Sequence, residues 1–101
     1  MDKEKAIDLL CERVLVDEND PIINKIWNEL IELLSKDVTE TIEFLNICTK
    51  EQLFYISEII EDVSYNLKSQ DFIDTLCKLN EKYPKLEMES DIRIAKEFME
   101  E

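Results

Sequence analysis

Carboxylates are the side chains this chain offers most freely for chemistry: 25 of its 101 residues are Asp or Glu, against 12 Lys and Arg. A pair of them could work as general acid and base, provided one sat in an apolar pocket that raised its pKa. Every candidate carboxylate falls on a predicted polar face, so no catalytic residue is assigned and no enzyme activity is expected. Histidine is absent, which removes the usual general base near neutral pH, the commonest zinc ligand and the ExxH signature of di-iron bundles. Glycine is absent as well, so neither GxGxxG nor GxxxxGK[ST] can cradle a phosphate. No cofactor and no metal is expected, and a small-molecule ligand is not indicated.

What the carboxylates can do is recognise positive charge. The net charge of −13 repels nucleic acid and anionic membranes and attracts basic surfaces. Between Glu51 and Leu67 there is no basic residue, and on a continuous helix Glu58, Glu61, Asp62 and Tyr65 would share the face opposite the core. Like charges at these spacings cost a few tenths of a kcal/mol per pair. The functional reading is a docking strip for Lys or Arg, with Tyr65 as an amphipathic anchor at its end. An ordinary solvated helix face carries the same pattern. Asp71 and Asp74 extend the set onto the next helix, and residues 37–74 hold nine acids and two lysines, 2 − 9 = −7.

A second acidic knot, Asp17, Glu18 and Asp20, invites comparison with a calcium loop. It lacks the glycine and the terminal glutamate of an EF-hand, and Pro21 and Ile22 stand where the loop must continue. It reads as helix capping and surface charge. Cys11, Cys48 and Cys77 are odd in number, widely spaced and set among apolar residues, which predicts reduced core thiols rather than a disulfide framework. MDKEKAIDLL has no apolar signal core, and no run approaches the roughly 18 apolar residues of a membrane span. A cytoplasmic protein is expected.

The elements that must position these groups are helices. Apolar residues make up 45% of the chain, enough for one core in a single domain over residues 1–101, and without glycine the residues for left-handed turns and tight hairpins are missing. The first helix is predicted over Lys3–Val16, with Ile7, Leu10, Cys11 and Val14 inward. Asp20 caps a second helix that carries Pro21 in its first turn and runs to Ser35; Ile23, Ile26, Trp27, Leu30, Leu33 and Leu34 give it the widest apolar face, with Trp27 in the core. Asp37 with Glu40 resembles a capping box for a third, ending near Cys48, in which Val38, Ile42, Phe44 and Leu45 point inward. Thr49 with Gln52 opens a fourth, whose Leu53, Ile56, Ile60, Val63 and Leu67 step 3, 4, 3, 4. Ser69 caps a fifth, lined by Phe72, Ile73, Leu76, Leu79 and Tyr83, which Pro84 ends. The last spans Met88–Glu100 with Ile92, Ala95, Phe98 and Met99 inward. Short links predict an all-α, irregular bundle of about six antiparallel helices arranged as hairpins, a short solenoid being the alternative.

Over half the chain, EFLNICTKEQLFYISEIIEDVSYNLKSQDFIDTLCKLNEKYPKLEMESDIRIAKEFM, resembles small acidic helical proteins of bacterial toxin and immunity loci, including contact-dependent growth inhibition immunity proteins. The likeness lies in FL, a capped helix with an ISEIIEDV core, SQDFIDTL, KYP and a final helix. It implies an immunity protein that binds and neutralises a cognate toxin domain with a basic surface, such as a nuclease. No contact residue of that family can be matched to a position in this chain. The alternative is a non-catalytic helical adaptor or homodimeric scaffold whose acids only maintain solubility.

Overall fold

Side-chain hydrogen bonds start most helices where the local sequence places them. In a computed structural model describing all 101 residues, the chain forms α1 (Lys3–Leu15), α2 (Ile22–Leu34), α3 (Val38–Ile47), α4 (Lys50–Ile56), α5 (Ile60–Leu67), α6 (Gln70–Lys82) and α7 (Glu89–Met99). Single 3₁₀ turns lie at Ser57–Ile59 and Pro84–Leu86. Asp2 accepts from the Lys5 amide, Asp20 from Ile22, Asp37 from Glu40 and Ser69 from Phe72, each satisfying an amide that the first helical turn leaves free. Thr49 and Gln52 form the full reciprocal box. The Asp37–Glu40 pair does not, because the Glu40 carboxylate turns to the amino group of Met1 instead.

The fold is the expected all-α bundle, with no strand. A continuous apolar core takes residues from all seven helices, including Leu10, Leu34, Phe44, Ile56, Val63, Phe72 and Ala95. α1 lies on α2 and on α4, α5 packs against α7, and α6 completes that layer against α7. α3 leans chiefly on α6 rather than on its neighbours in sequence, so the hairpin pattern is irregular at that point. Thr41, fully buried, donates its hydroxyl to the Leu34 carbonyl at 2.7 Å and so satisfies an oxygen at the end of α2. No helix is long and apolar enough to cross a membrane.

Two expectations about the elements are corrected. The predicted fourth helix is two helices: at Ser57–Ile59 the coil tightens, and Ile59 (φ −118°, ψ 7°) leaves helical geometry before α5 begins. Ile56, Ile59 and Ile60 stay buried across the jog, while Glu58 is carried toward Arg13 of α1 and Trp27 of α2. In α1 the buried residues are Ala6, Leu9, Leu10 and Arg13, while Ile7, Cys11 and Val14 are exposed. The helix is thus turned by one residue, about 100°, from its expected phase. Trp27 is half-buried against the core rather than inside it, and Met99 is exposed.

The chain also uses left-handed backbone despite having no glycine. Lys68 (φ 43°) ends α5, and Glu87 (φ 52°) ends the second 3₁₀ turn, where its amide donates to the Pro84 carbonyl. A side chain with a Cβ is strained in this region by about 1–2 kcal/mol, partly offset because it costs less unfolded-state entropy than glycine. Glu87→Gly is therefore expected to raise stability by about 0.5–1 kcal/mol, read as a higher urea midpoint at unchanged slope. A fall in midpoint would show that the exposed Glu87 side chain has a structural role.

Candidate protein-binding surfaces

The six acidic and aromatic residues singled out from the sequence do not form one strip. The 3₁₀ turn carries Glu58 toward α1 and α2, where it meets Arg13. Two parallel hydrogen bonds of 2.7 Å join the Arg13 guanidinium to both Glu58 carboxylate oxygens, and the Trp27 indole N–H donates to the same carboxylate at 3.1 Å. The guanidinium also lies 5.0 Å from the centre of the Tyr55 ring. Only 8% of the Arg13 side chain and 26% of that of Glu58 are accessible. The hydrogen bonds that Arg13 donates to Glu58 raise its pKa further above its already high value, against the opposing effect of burial. Glu58 is therefore already neutralised by an internal cation. It belongs to the fold rather than to a free docking surface, a correction to the expected assignment.

Glu61, Asp62 and Tyr65 remain together on α5, all exposed. Tyr65 stands edge-on to Phe98 of α7, ring centres 5.2 Å apart, with the Lys68 ammonium 4.9 Å from its ring. Glu61 faces Asp91 of α7, and no cation pairs with either. Burial raises the Asp91 pKa, and the Glu61 charge and a hydrogen bond to Glu61 push it the same way. Asp71 and Asp74 lie apart from this ridge, on a recess between α3 and α6 that Thr39, Glu43 and Lys78 also line. Asp74 accepts there from Gln70 at 2.9 Å. The candidates thus occupy three places: an internal ion pair, an acidic ridge on α5 and α7, and the α3/α6 recess.

The Asp91–Glu61 contact has a pH signature. Because the Asp91 pKa is higher in the folded than in the unfolded state, its effect on stability is most favourable below the unfolded value of about 3.9 and is lost as pH rises through the raised folded one. Asp91→Asn should stabilise the protein slightly at pH 7, by a few tenths of a kcal/mol, since the site is partly solvated and the first-turn charge is itself favourable to α7. The gain should vanish in thermal melts near pH 3.5. A gain of equal size at both pH values would reject charge repulsion as its origin.

A different surface, not among those expected from the sequence, is apolar. Val14 (44% exposed), Leu15 (85%) and Phe54 (53%) project around the seam between α1 and α4. Leu10, Cys11, Val14 and Tyr55 line a recess there of about 220 Å³, with Glu51 and Gln52 on its edge. It continues past Val14 and Tyr55 to Asp17 and Glu18, and past Phe54 to Lys50 and Lys85. Two signals in the sequence point to it. Apolar residues in α1 cover more of its circumference than one packing face needs, and the run Leu53-Phe54-Tyr55-Ile56 must send its side chains around the helix, leaving some outside.

The three thiols differ accordingly. Cys48 alone is a core residue, and burial pushes its pKa up to about 12. Cys77 is half-buried, and Cys11 is exposed on the α1 recess, against the expectation that all three lie in the core.

Compared with models of known families, with curated proteins and with solved structures, the chain shows no significant match.

Proposed function

We propose that this protein is a binding protein that neutralises a cognate toxin domain with a basic surface, in the manner of an immunity protein. One observation carries the reading: the acidic excess is left available. Of 25 acidic side chains, only Glu40, Glu58, Glu97 and Glu101 take part in ion pairs. The Glu61–Asp91 contact even sets two carboxylates together without a cation, an arrangement that a partner's Lys or Arg would relieve. Such a field accelerates encounter with a basic protein and discriminates against acidic ones. Glu61, Asp62 and Tyr65 on the ridge and Asp71 and Asp74 on the recess are the residues proposed to meet the partner.

The test is genetic and then kinetic. If the gene immediately upstream encodes a secreted toxin's C-terminal domain, co-expression of this protein should restore growth; failure to rescue rejects the assignment. In the purified complex, reversing the charges of Glu61, Asp62, Asp71 and Asp74 should slow association severalfold or more, with most of the loss disappearing at high salt. Unchanged association kinetics would exclude these acids from the interface.

A second reading, a homodimeric scaffold or adaptor, is favoured by the exposed apolar residues of α1 and α4. Light scattering distinguishes it, since an obligate dimer with no toxin partner would replace the first reading.

A further inference from the structure

The seam between α1 and α4 combines features that the acidic ridge lacks. Its centre is apolar and aromatic: Val14 and Phe54 stand exposed on either side of a trough lined by Leu10 and Tyr55. Aromatic and aliphatic anchors within a charged rim are the anatomy of an energetic hot spot. The recess of about 220 Å³ exceeds the roughly 150 Å³ cavity that accommodates benzene, so it can take one large apolar side chain. The rim charges are graded. Asp17 and Glu18 mark one end, Glu51 the middle, and Lys50 and Lys85 the other end. Arg13 and Glu58, at the acidic end, cancel each other.

We propose that this groove seats an amphipathic helix of the protein partner, its apolar edge over Val14 and Phe54 and its Lys or Arg side chains over Asp17, Glu18 and Glu51. The inference rests on the proposed binding of a basic partner and specifies the surface and the kind of segment. The graded rim orients the helix: the positive end of its dipole, the N-terminus, goes to Asp17 and Glu18, and the negative end to Lys50 and Lys85. A second copy of this chain is the poorer occupant. Two concave surfaces cannot fill each other, and each molecule brings a net charge of −13.

Cys11 provides the measurement, because its exposed thiol lines the recess while the Cys48 thiol is silent. The probe is a synthetic Leu/Lys amphipathic peptide of about 18 residues, ~27 Å long as a helix and comparable to the 27 Å intermediate dimension of the molecule. A peptide of the same composition in scrambled order is the control. Iodoacetamide labelling of the intact protein is followed by mass spectrometry of its digest, and binding by anisotropy of a fluorescent copy of the peptide. The amphipathic peptide should slow Cys11 alkylation about tenfold while the scrambled one leaves it unchanged, and Val14→Ser with Phe54→Ser should weaken its binding by about tenfold in a variant that still unfolds cooperatively well above the assay temperature.

Equal binding of both peptides, or binding with Cys11 still freely alkylated, would overturn the groove yet leave the basic-partner reading standing. Binding of neither peptide at low salt would count against both. Protection of Cys11 by raising the protein concentration alone, with a dimer mass in light scattering, would assign the groove to a second copy and overturn the proposal.

Discussion

Arg13→Ala and Glu58→Ala are each expected to lower the stability of this protein by about 2 kcal/mol, between the roughly 0–1 kcal/mol of an exposed pair and the 3–5 kcal/mol for breaking a buried one. The physical source is the charge left behind. Arg13 is almost completely enclosed, and its hydrogen bonds to Glu58 are made to both carboxylate oxygens. Without Glu58 the guanidinium, mostly covered by protein, keeps its charge with no counterion, and the Trp27 N–H loses its acceptor as well. The partial exposure of Glu58 allows water to replace some of the loss, which sets the lower figure. A loss of this size is a large share of the roughly 5–15 kcal/mol that holds a domain of this kind together. Arg13→Met combined with Glu58→Leu should recover most of it, because an apolar pair of similar volume leaves no charge buried. Urea unfolding followed by circular dichroism measures all three variants. Single replacements costing under about 1 kcal/mol would mean that the pair behaves as an ordinary surface salt bridge. The result also bears on binding: a loss of partner affinity in Glu58 variants reports damage to the fold, so Glu61 and Asp62 are the informative positions for testing electrostatic recognition.

Phe44→Ala should cost about 3–5 kcal/mol, whereas Phe54→Ala, the same chemical change ten positions along, should cost no more than about 1 kcal/mol. Phe44 is 1% exposed in the continuous core and Phe54 53% exposed at the groove. Removing the first leaves a cavity lined by atoms that have lost their contacts. Removing the second takes away apolar surface that water already reaches, together with an edge-to-face contact with Tyr55 at 5.3 Å between ring centres. Function should run the other way: Phe54→Ala should weaken partner binding while the fold survives. Urea midpoints and partner affinities for the two variants separate the roles, and similar stability losses in both would contradict the burial contrast.

The difference between these two phenylalanines indicates how much of the molecule is legible from its residues alone. Caps are local, so Asp20, Asp37, Thr49 with Gln52, and Ser69 could be recognised from neighbours within three positions. The faces of α2 and α6 were equally clear, because Ile26, Leu30 and Leu34, or Phe72, Ile73, Leu76 and Leu79, allow only one inward direction. α1 was ambiguous because two adjacent stripes of its surface are apolar. The deciding residue was Arg13, which reads as a solvent-facing charge until Glu58, 45 positions away, supplies its counterion. The same long-range contact explains the site. A straight helix places Glu58 beside Glu61 and Asp62, and the turn at Ser57–Ile59 separates them. Neither glycine nor proline announces that turn; its partners, Arg13 of α1 and Trp27 of α2, meet Glu58 only once the surrounding helices are in place.

Trp27 is the sole tryptophan, and its indole N–H rests on the carboxylate that also holds Arg13. The molecule therefore carries an intrinsic optical gauge at the junction of α1, α2 and the 3₁₀ turn. Emission from this one ring should shift as the Arg13–Glu58 bond opens and the indole meets water. Arg13 and Glu58 also border the acidic end of the groove, so arrival of a partner and loss of the native fold can both be followed through the same unlabelled residue.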